Sequence, residues 1–435
     1  MAGLHVLELP CEILDQIISE VRRGSLRPVS CVCRTFRVLC EPRIWSHVSL
    51  KGSQASSLPA LVKYWHLRTE IAAYVLDLNV DWERINRKKE KIKSEDVAEL
   101  QIIVKSLNLD LPENWHTLTE NLSILAGIAI LQARNVRQLS ITADKKSEYF
   151  FKALPFPEET STRLRNLTDL RFVASQTGTW PVLLDQIFPL MKLAPFITSF
   201  YGINTCGKFE GMDWSRIVKL KLARRGVIPV EDTPRWIKSC GRLEEFDLWA
   251  LTDYDDLEDI LPALTFHGES LKVLKLDIGG WGDTAMRLRS FTKLPSLESL
   301  KITADELGFG SDCLLRELHP SLKHLKISGY IDGYREEFAW FAKEVEGGKF
   351  PDLRTISFTE WECDGDHENS CRLVDSESWE GGEVGCDMGQ TLCDVREMFS
   401  ALGVTDPTPW DNPWDKDCTP RELMYHLLLE DANTP

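Results

Sequence analysis

Residues 7–50, LELPCEILDQIISEVRRGSLRPVSCVCRTFRVLCEPRIWSHVSL, predict a small helical module. Leu9-Pro10 opens the first helix, because proline is preorganised for the first helical position. Its apolar residues recur on one face at helical spacing: Ile13, Leu14, Ile17, Ile18 and Val21. Gly24 is predicted to end this helix. A module of about forty residues is too small to stand alone on one core without a partner or a following domain.

Pro28 opens a second predicted helix, whose apolar residues are Val29, Val32, Phe36 and Leu39. Glu41-Pro42 ends it, since the residue before a proline disfavours helix. Arg43 to His47 then give a short third turn around Trp45, which we expect to be mainly a core residue. A generic N-terminal helical hairpin is the alternative, but periodicity alone would not also place the Leu-Pro pair and the tryptophan.

The module resembles an F-box. The resemblance rests on Leu9-Pro10, Glu12-Ile13-Leu14, Ile17, Val32-Cys33-Arg34, Phe36, Leu39 and Trp45, in order and near the usual spacing. It implies binding to a Skp-type adaptor and, through that adaptor, to a cullin–RING ubiquitin ligase. The residues it assigns to adaptor binding are Leu9, Pro10, Glu12, Ile13, Leu14, Ile17, Val32 and Phe36.

Composition favours an intracellular protein of the cytoplasm or nucleus. The N-terminus has no basic-then-apolar signal pattern, and no run of about eighteen apolar residues predicts a membrane span. The 12 cysteines form no paired framework, so we interpret them as reduced thiols.

Negative charge is concentrated at the C-terminal end. Residues 360–435 hold 19 Asp and Glu against 4 Lys and Arg, a net charge of −15 out of −16 for the whole chain. A nucleic-acid binder is not expected, since it would need a broad basic face. The basic run Arg84 to Lys93 is interpreted as a solvated helix face or loop, with a nuclear-import patch as the alternative.

A pattern of apolar-x-x-apolar-x-apolar recurs from residue 136 to residue 358. Its copies start at Val136, Leu167, Ile197, Ile217, Leu243, Leu271, Leu297, Leu322 and Leu353, with Val75 as an earlier member. The alternation at the end of each copy predicts a strand with its apolar residues inward. Helical returns are expected at Thr233 to Ser239, Asp256 to His267 and Glu336 to Val345.

These copies resemble leucine-rich repeats, in which neighbouring units stack and share one continuous core. They lack the usual Asn or Cys at the turn after the strand, and their lengths are irregular. The alternative is an ordinary α/β domain. The predicted fold class is therefore α/β, with a three-helix F-box followed by an irregular leucine-rich-repeat-like solenoid.

Stacked strands would place one residue of each copy in a row facing outward on the concave side. In order, the row reads Ser140, Arg171, Lys221, Asp247, Lys275, Lys301, Lys326 and Ser357. Its basic members, Arg171, Lys221, Lys275, Lys301 and Lys326, are candidate binding residues for an acidic or phosphorylated substrate. The alternative is that Asp169, Glu245, Asp277 and Glu298 neutralise the row locally.

The sequence contains no catalytic motif, so we expect the protein to be neither an enzyme nor dependent on a cofactor. Asp364 to Asp375 begins like a calcium loop but lacks its glycine and terminal glutamate. Four cysteines could be drawn as a zinc set, but their spacings are not those of zinc ribbons or fingers: Cys363, Cys371, Cys386 and Cys393. We expect no metal.

The predicted organisation has five parts: the helical module (5–50), a linker with a degenerate repeat (51–135), the solenoid (136–362), an acidic and flexible loop (363–390), and C-terminal capping helices (391–435). Helices are expected at Thr391 to Leu402 and Arg421 to Leu429.

Two functions fit this organisation. The first is a non-catalytic substrate adaptor of a Skp–cullin–F-box ubiquitin ligase, which binds the ligase core through the F-box and a protein substrate through the repeats. The second is an F-box-containing interaction scaffold without ligase coupling. Neither involves nucleic acid or a membrane.

Overall fold

The computed structural model describes eleven stretches with short interruptions: residues 9–87, 92–118 without 110, 121–143, 164–174, 182–183, 188–206, 213–224, 232–251, 259–279, 291–359 without 305–306, 308–312, 330 and 332–333, and 388–404. The chain divides into two compact units, Met1–Ile217 and Val218–Pro435.

The first unit begins with three helices: α1 (Cys11–Glu20), α2 (Arg23–Ser30) and α3 (Arg34–Trp45). Ile18, Leu26 and Cys40, one from each helix, form their common core. Partly buried side chains pack around it: Val21, Val29, Phe36, Leu39 and Ile44. The three-helix module predicted from the sequence is therefore present, with a core of only a few side chains.

The predicted helix boundaries inside this module are wrong. The chain breaks at the extended residues Val21 and Arg22, so Gly24 lies inside α2 and does not end a helix. Pro28 lies inside α2 and does not begin a helix. Pro42 lies inside α3, whose last turn is anchored by Trp45 packing on Trp65 at 6.3 Å between ring centroids.

Five parallel strands form the sheet of the first unit in the order β1 (His47–Leu50), β2 (Asp77–Asp81), β3 (Gln138–Ala143), β4 (Asp169–Ala174) and β6 (Ser199–Ile203). A separate short pair joins β5 (Val182–Leu183) to β7 (Thr205–Cys206). The sequence reasoning missed β1, although Val48 and Leu50 align with Leu78 and Val80 of the next strand.

Residues 51–135, predicted as a linker with a first, degenerate repeat, contain several helices as well as strand β2, which carries Leu78 and Val80 of that repeat. They contain the helices α4 (Leu58–Leu67), α5 (Thr69–Ala73), α6 (Trp82–Arg87), α7 (Ser94–Ser106) and α8 (Asn121–Gln132), with 3-10 turns at Gly52–Ser57 and Trp115–Thr117. All of α8 is buried, which its sequence NLSILAGIAILQ explains, because a helix that is apolar all round must lie in a core. Helix α9 (Phe188–Leu193) follows later in this unit.

Parallel strands also form the sheet of the second unit, in the order β8 (Lys219–Arg224), β9 (Glu245–Leu251), β10 (Val273–Gly279), β11 (Ser299–Thr303), β12 (His324–Ser328) and β13 (Thr355–Thr359). Between them lie α10 (Thr233–Ser239), α11 (Ile260–Leu264), α12 (Arg335–Glu346) and 3-10 turns at Thr265–His267, Phe291–Lys293 and Leu314–Glu317. The α/β class and the predicted helical returns that fall on described residues are confirmed.

The same backbone hydrogen bonds recur at the start of successive strands. The carbonyl of the residue before one strand accepts from two consecutive N–H groups where the next strand begins. Glu244 O accepts from Lys272 N and Val273 N at 2.9 and 3.0 Å, and Lys272 O accepts from Glu298 N and Ser299 N at 2.9 Å each. This pair of bonds aligns the predicted apolar positions: Leu274 with Leu300, and Leu300 with Leu325.

Helix α13 (Met388–Ala401) begins three residues earlier than the helix predicted at Thr391. It packs on α12 through Phe341 and Phe399, whose ring centroids are 5.8 Å apart, and through Arg335 and Asp394 at 2.6 Å. Residues 388–390, predicted as the end of the acidic loop 363–390, belong to α13. The rest of that predicted loop and the predicted helix Arg421 to Leu429 lie outside the described residues.

Among the described residues, no helix is long and apolar enough to cross a membrane. Free thiols are present at Cys11, Cys31, Cys33, Cys40, Cys240 and Cys313.

Phe341→Ala should destabilise the second unit by about 3–5 kcal/mol, because this fully buried ring contacts both Phe350 and Phe399. Phe266→Ala is the matched control, since its ring is 71% exposed and contacts Lys238, a contact worth about 0.5–1 kcal/mol. Denaturant unfolding of both variants measures the difference. Equal losses would contradict the packing of α12 between β13 and α13.

Candidate functional site

The predicted basic row is in register within the second unit. Backbone pairing aligns Lys221 with Asp247, Asp247 with Lys275, and then Lys275 with Lys301. Lys301 aligns in turn with Lys326, and Lys326 with Ser357. In the first unit Ser140 aligns with Arg171, and Arg171 with Tyr201 in place of a further cation.

The lysines of this row are not the exposed side chains that the sequence predicted. Lys301 is 9% exposed and Lys326 is 6% exposed, while Lys221 and Lys275 are partly buried. Arg171 is exposed. An outward position on a strand therefore does not make these side chains accessible, and the row is a mostly buried polar layer.

Carboxylates of the neighbouring strands reach the lysines. Glu245 lies 3.1 Å from Lys221 Nζ and 3.6 Å from Lys275 Nζ. Asp247 lies 3.9 Å from Lys275 Nζ, and Asp277 lies 3.6 Å from Lys301 Nζ. Glu245 and Asp277 thus neutralise lysines of the row locally, which was the alternative left open by the sequence. The other two predicted carboxylates have different partners: Glu298 pairs with Lys323, and Asp169 accepts a hydrogen bond from the Thr168 hydroxyl.

The two carboxylates on β9 respond differently to this environment. Burial opposes the charge of Glu245, but Lys221 and Lys275 outweigh it and hold the pKa of this carboxyl below its ordinary value. Burial raises the pKa of Asp247 despite the attraction of Lys275, Lys221 and Lys301. Glu245 is therefore the carboxylate that stabilises the charged row.

The described part of the chain contains no group of three metal-ligating side chains. Burial raises the pKa of the Cys240 thiol to about 12, and it also raises the pKa of Cys40 and Cys313. Such thiols remain protonated and unreactive. Buried His267 bonds the Ile237 carbonyl at 2.8 Å, which is a structural role. The calcium-like segment and the predicted cysteine set lie outside the described residues or their described side chains.

The candidate adaptor-binding residues divide between surface and core. Ile13, Ile17 and Val32 are large apolar side chains with 40%, 44% and 67% of their surface exposed. Pro10 and Glu12 are also exposed, and Leu9 is partly buried. Ile13 and Ile17 lie one turn apart on α1, so they form an outward apolar stripe.

Leu14 and Phe36 are corrections to this candidate surface. Leu14 is 1% exposed and shares the inward face of α1 with Ile18. Phe36 packs against the core of the three helices. Both residues fit the sequence pattern because they shape the module: Leu14 contributes no exposed surface, and Phe36 is only partly exposed.

The module is joined to the helices that follow it. Trp45, predicted to be mainly a core residue, is partly buried and packs on Tyr64 at 5.9 Å between ring centroids and on Trp65 at 6.3 Å. Arg68 contacts Glu41 at 3.8 Å, and Arg43 contacts Asp15 at 3.2 Å.

A match to a known family covers this module. Residues 6–51 match the family model described as F-box-like. Residues 6–51 are an F-box-like domain. No curated protein matches the chain. F-box domains are generally non-catalytic adaptors that bind Skp-type proteins, so the outward stripe of the F-box-like domain is the surface on which adaptor binding has to be tested.

Sequence reasoning missed a cleft of about 350 Å³ beside β1. Side chains of the F-box-like domain and of the helix after it line the cleft, among them Arg27, Trp45, His47, Ser49 and Leu58. The Ser49 hydroxyl is buried and has no hydrogen-bond partner. No motif marks this cleft, because its walls come from five separate elements.

Glu245→Gln should destabilise the second unit at neutral pH by about 1–3 kcal/mol, because it removes the charge that Lys221 and Lys275 share. The folded-state pKa of Glu245 is lowered, so its contribution is fully present above the unfolded value of about 4.3 and is lost as pH falls through the folded-state pKa.

Unfolding experiments at several pH values measure this loss, with Glu244→Gln as the control. Glu244 is more exposed and pairs with Lys272 at 3.4 Å, so its loss should cost about 0–1 kcal/mol. A Glu245 variant as stable as the control at pH 7 would rule out a stabilising charge on β9.

Proposed function

We propose that this protein is a non-catalytic substrate-recognition adaptor of a Skp–cullin–F-box ubiquitin ligase. The observation that carries the proposal is the F-box-like domain at residues 6–51, whose first helix has Ile13 and Ile17 on its outward face. An exposed apolar stripe on a small domain is typical of a protein–protein contact. The adaptor would act by proximity, raising the concentration of a bound substrate near the ubiquitin-carrying enzyme of the ligase.

The strands would serve as a leucine-rich-repeat-like solenoid that carries the substrate. The recurring double hydrogen bond and the aligned apolar positions support stacked units. Serines at the turns add a repeated link: Ser270 donates to Leu243 O and Ser321 donates to Leu297 O, both at 2.8 Å. Stacking of this kind is the arrangement that repeat proteins use to build extended binding surfaces.

Substrate binding is assigned to the lysine row and to Arg171, with an acidic or phosphorylated protein segment as the partner. Carboxylates already contact several of these lysines, so such a partner would have to displace or supplement them. The site of action is proposed to be the cytoplasm or nucleus, where cullin ligases act. Besides the F-box-like domain at 6–51, the proposed functional divisions are the predicted parts 136–362, 363–390 and 391–435, with the last boundary moved to Met388, where α13 begins.

An interaction scaffold without ligase coupling is the second candidate, since an F-box-like domain alone does not establish coupling to a cullin. Both candidates bind a Skp-type adaptor. Co-purification of a cullin and turnover of the captured protein distinguish them.

Ile13→Ser combined with Ile17→Ser should abolish recovery of a Skp-type adaptor in affinity purification, because it removes the outward stripe of α1 without touching Leu14 or Ile18. Ile102→Ser is the matched control, since Ile102 is a 62% exposed isoleucine on another helix of the same unit. Full recovery with the double variant would refute adaptor binding through this stripe.

Lys301→Gln combined with Lys326→Gln should reduce capture of substrates in cells with proteasome activity blocked, while recovery of the Skp-type adaptor stays unchanged. Glutamine avoids burying two new carboxylates, which reversal to Glu would do at these buried positions. Lys323→Gln is the control, because Lys323 is more exposed and pairs with Glu298. Identical substrate lists from both variants, measured by mass spectrometry, would place recognition elsewhere.

A further inference from the structure

Strand β1 forms one end of the sheet in the first unit, and its outer edge faces no other described strand. It pairs with β2 alone. The backbone N–H and C=O groups at such an edge can bond an added strand, which makes a free edge a recognition surface for extended peptides. The four residues His47–Leu50 form this edge, which is about 13 Å long at the usual rise per residue.

The direction of the backbone groups of β1 follows from its hydrogen bonds to β2. Ser46 O accepts from two N–H groups where β2 begins, at 2.8 and 2.9 Å, so the carbonyl just before β1 points toward β2. Successive residues of a strand direct their backbone groups to opposite sides, so Val48 bonds β2 while His47 and Ser49 point outward. The Arg23 guanidinium donates to His47 O, which agrees with that direction.

The cleft of about 350 Å³ beside β1 runs along this outer edge. All four residues of β1 line it, although successive side chains of a strand point to opposite faces of a sheet. A cleft that touches both faces lies at the edge between them, and the described residues that line it include none from β2. The other lining residues come from α2, α3, the turn Gly52–Ser57 and α4.

The lining of the cleft combines apolar, hydroxyl and cationic groups, and its described members include no carboxylate. Trp45, Leu58 and Leu61 are among the apolar members, whereas Arg27 carries a full positive charge. The buried Ser49 hydroxyl has no hydrogen-bond partner among the described residues. An occupant of matching chemistry is an extended chain in which apolar and acidic side chains alternate.

Positive charge extends from the cleft over the neighbouring helices. Residues 21–40 contain five arginines and no Asp or Glu. All five are exposed: Arg22, Arg23, Arg27, Arg34 and Arg37. Arg23 and Arg27 lie one turn apart on α2, so they share the helix face that contacts His47 O and lines the cleft. Complementary charge favours an acidic occupant over a neutral or basic one.

We propose that the cleft along β1 binds a short, extended, acidic segment of a partner protein, which adds to the sheet as one further strand. The backbone of the segment bonds the outward N–H and C=O groups of Ser49. Its apolar side chains lie against Trp45 and Leu58, and its carboxylates pair with Arg27. This docking site is independent of the ligase coupling and of the substrate role proposed for the lysine row.

A fluorescent hexapeptide of alternating glutamate and valine, titrated with the full chain and followed by anisotropy, tests the site. It should bind saturably, and more weakly at high salt, because salt screens exposed charges. Two control peptides should bind at least about ten-fold more weakly: lysine in place of glutamate reverses the charge, and proline in place of valine removes N–H donors. Absence of saturable binding up to about 1 mM, or equal binding of the proline peptide, overturns the proposal.

Substitutions in the chain locate the binding. Arg27→Glu should weaken binding of the acidic peptide at least about ten-fold, because it reverses the charge that lines the cleft, and Arg27→Gln should have a smaller effect. Arg34→Glu is the matched control, since Arg34 is an exposed arginine at the start of α3 that does not line the cleft. Equal weakening by both charge reversals would show a diffuse attraction to the basic helices and overturn the proposal.

Hydrogen exchange at single residues tests the added strand itself. Saturating acidic peptide should slow exchange of the Ser49 N–H several-fold, because that group then bonds the peptide backbone. The Val48 N–H is the internal control, since it bonds β2 with or without the peptide. Peptide binding that leaves Ser49 exchange unchanged overturns the proposal. A Ser49 N–H already protected in the free chain overturns it too, because another segment of the chain or a second copy then occupies the edge.

Discussion

The double hydrogen bond at the start of each strand is the interaction on which the rest of the structure depends. One carbonyl accepts from two consecutive N–H groups of the next unit, as Leu76 O does from Arg137 N and Gln138 N at 2.7 and 3.0 Å. Two bonds to one acceptor fix both the position and the direction of the incoming strand. A slip of one residue would turn every apolar side chain to the wrong face, so these bonds and the apolar pattern specify the same register.

That register also forces like charges together. Once Leu274, Leu300 and Leu325 align, Lys275, Lys301 and Lys326 must align too, although like charges directly opposite are destabilising. Asp247, Glu245 and Asp277 offset the repulsion toward one end of the row. A polar layer of this kind contributes less stability than well-packed apolar residues would.

The sequence was sufficient for the repeated elements and insufficient for the irregular ones. Strands in the second unit were predictable because one spacing recurs and each copy ends in alternation. Strand β1 was missed because four residues show too little alternation, and Gly24, Pro28 and Pro42 were misread because tertiary packing outweighs local propensity. The exposed stripe at Ile13 and Ile17 was predicted only through the resemblance, since helical periodicity does not separate it from the inward Leu14 and Ile18. Burial of the lysines was beyond sequence reasoning, because it depends on what covers a strand face.

Contacts around Trp45 determine how the F-box-like domain is held in the first unit. The indole packs against Tyr64 at a tilt and against Trp65 edge to face, and Arg68 contacts Glu41. Strand β1, which follows α3 directly, pairs with β2. A boundary at residue 50, as predicted from the sequence, cuts through these contacts, so the domain and the helices after it behave as one body within the first unit. In the proposed ligase function, catalysis by proximity would depend on this property, because a docking surface on a flexible tether would spread a bound substrate over many positions and lower its effective concentration. The partly buried Trp45 thus joins the helices of the F-box-like domain to α4, through its contacts with Tyr64 and Trp65.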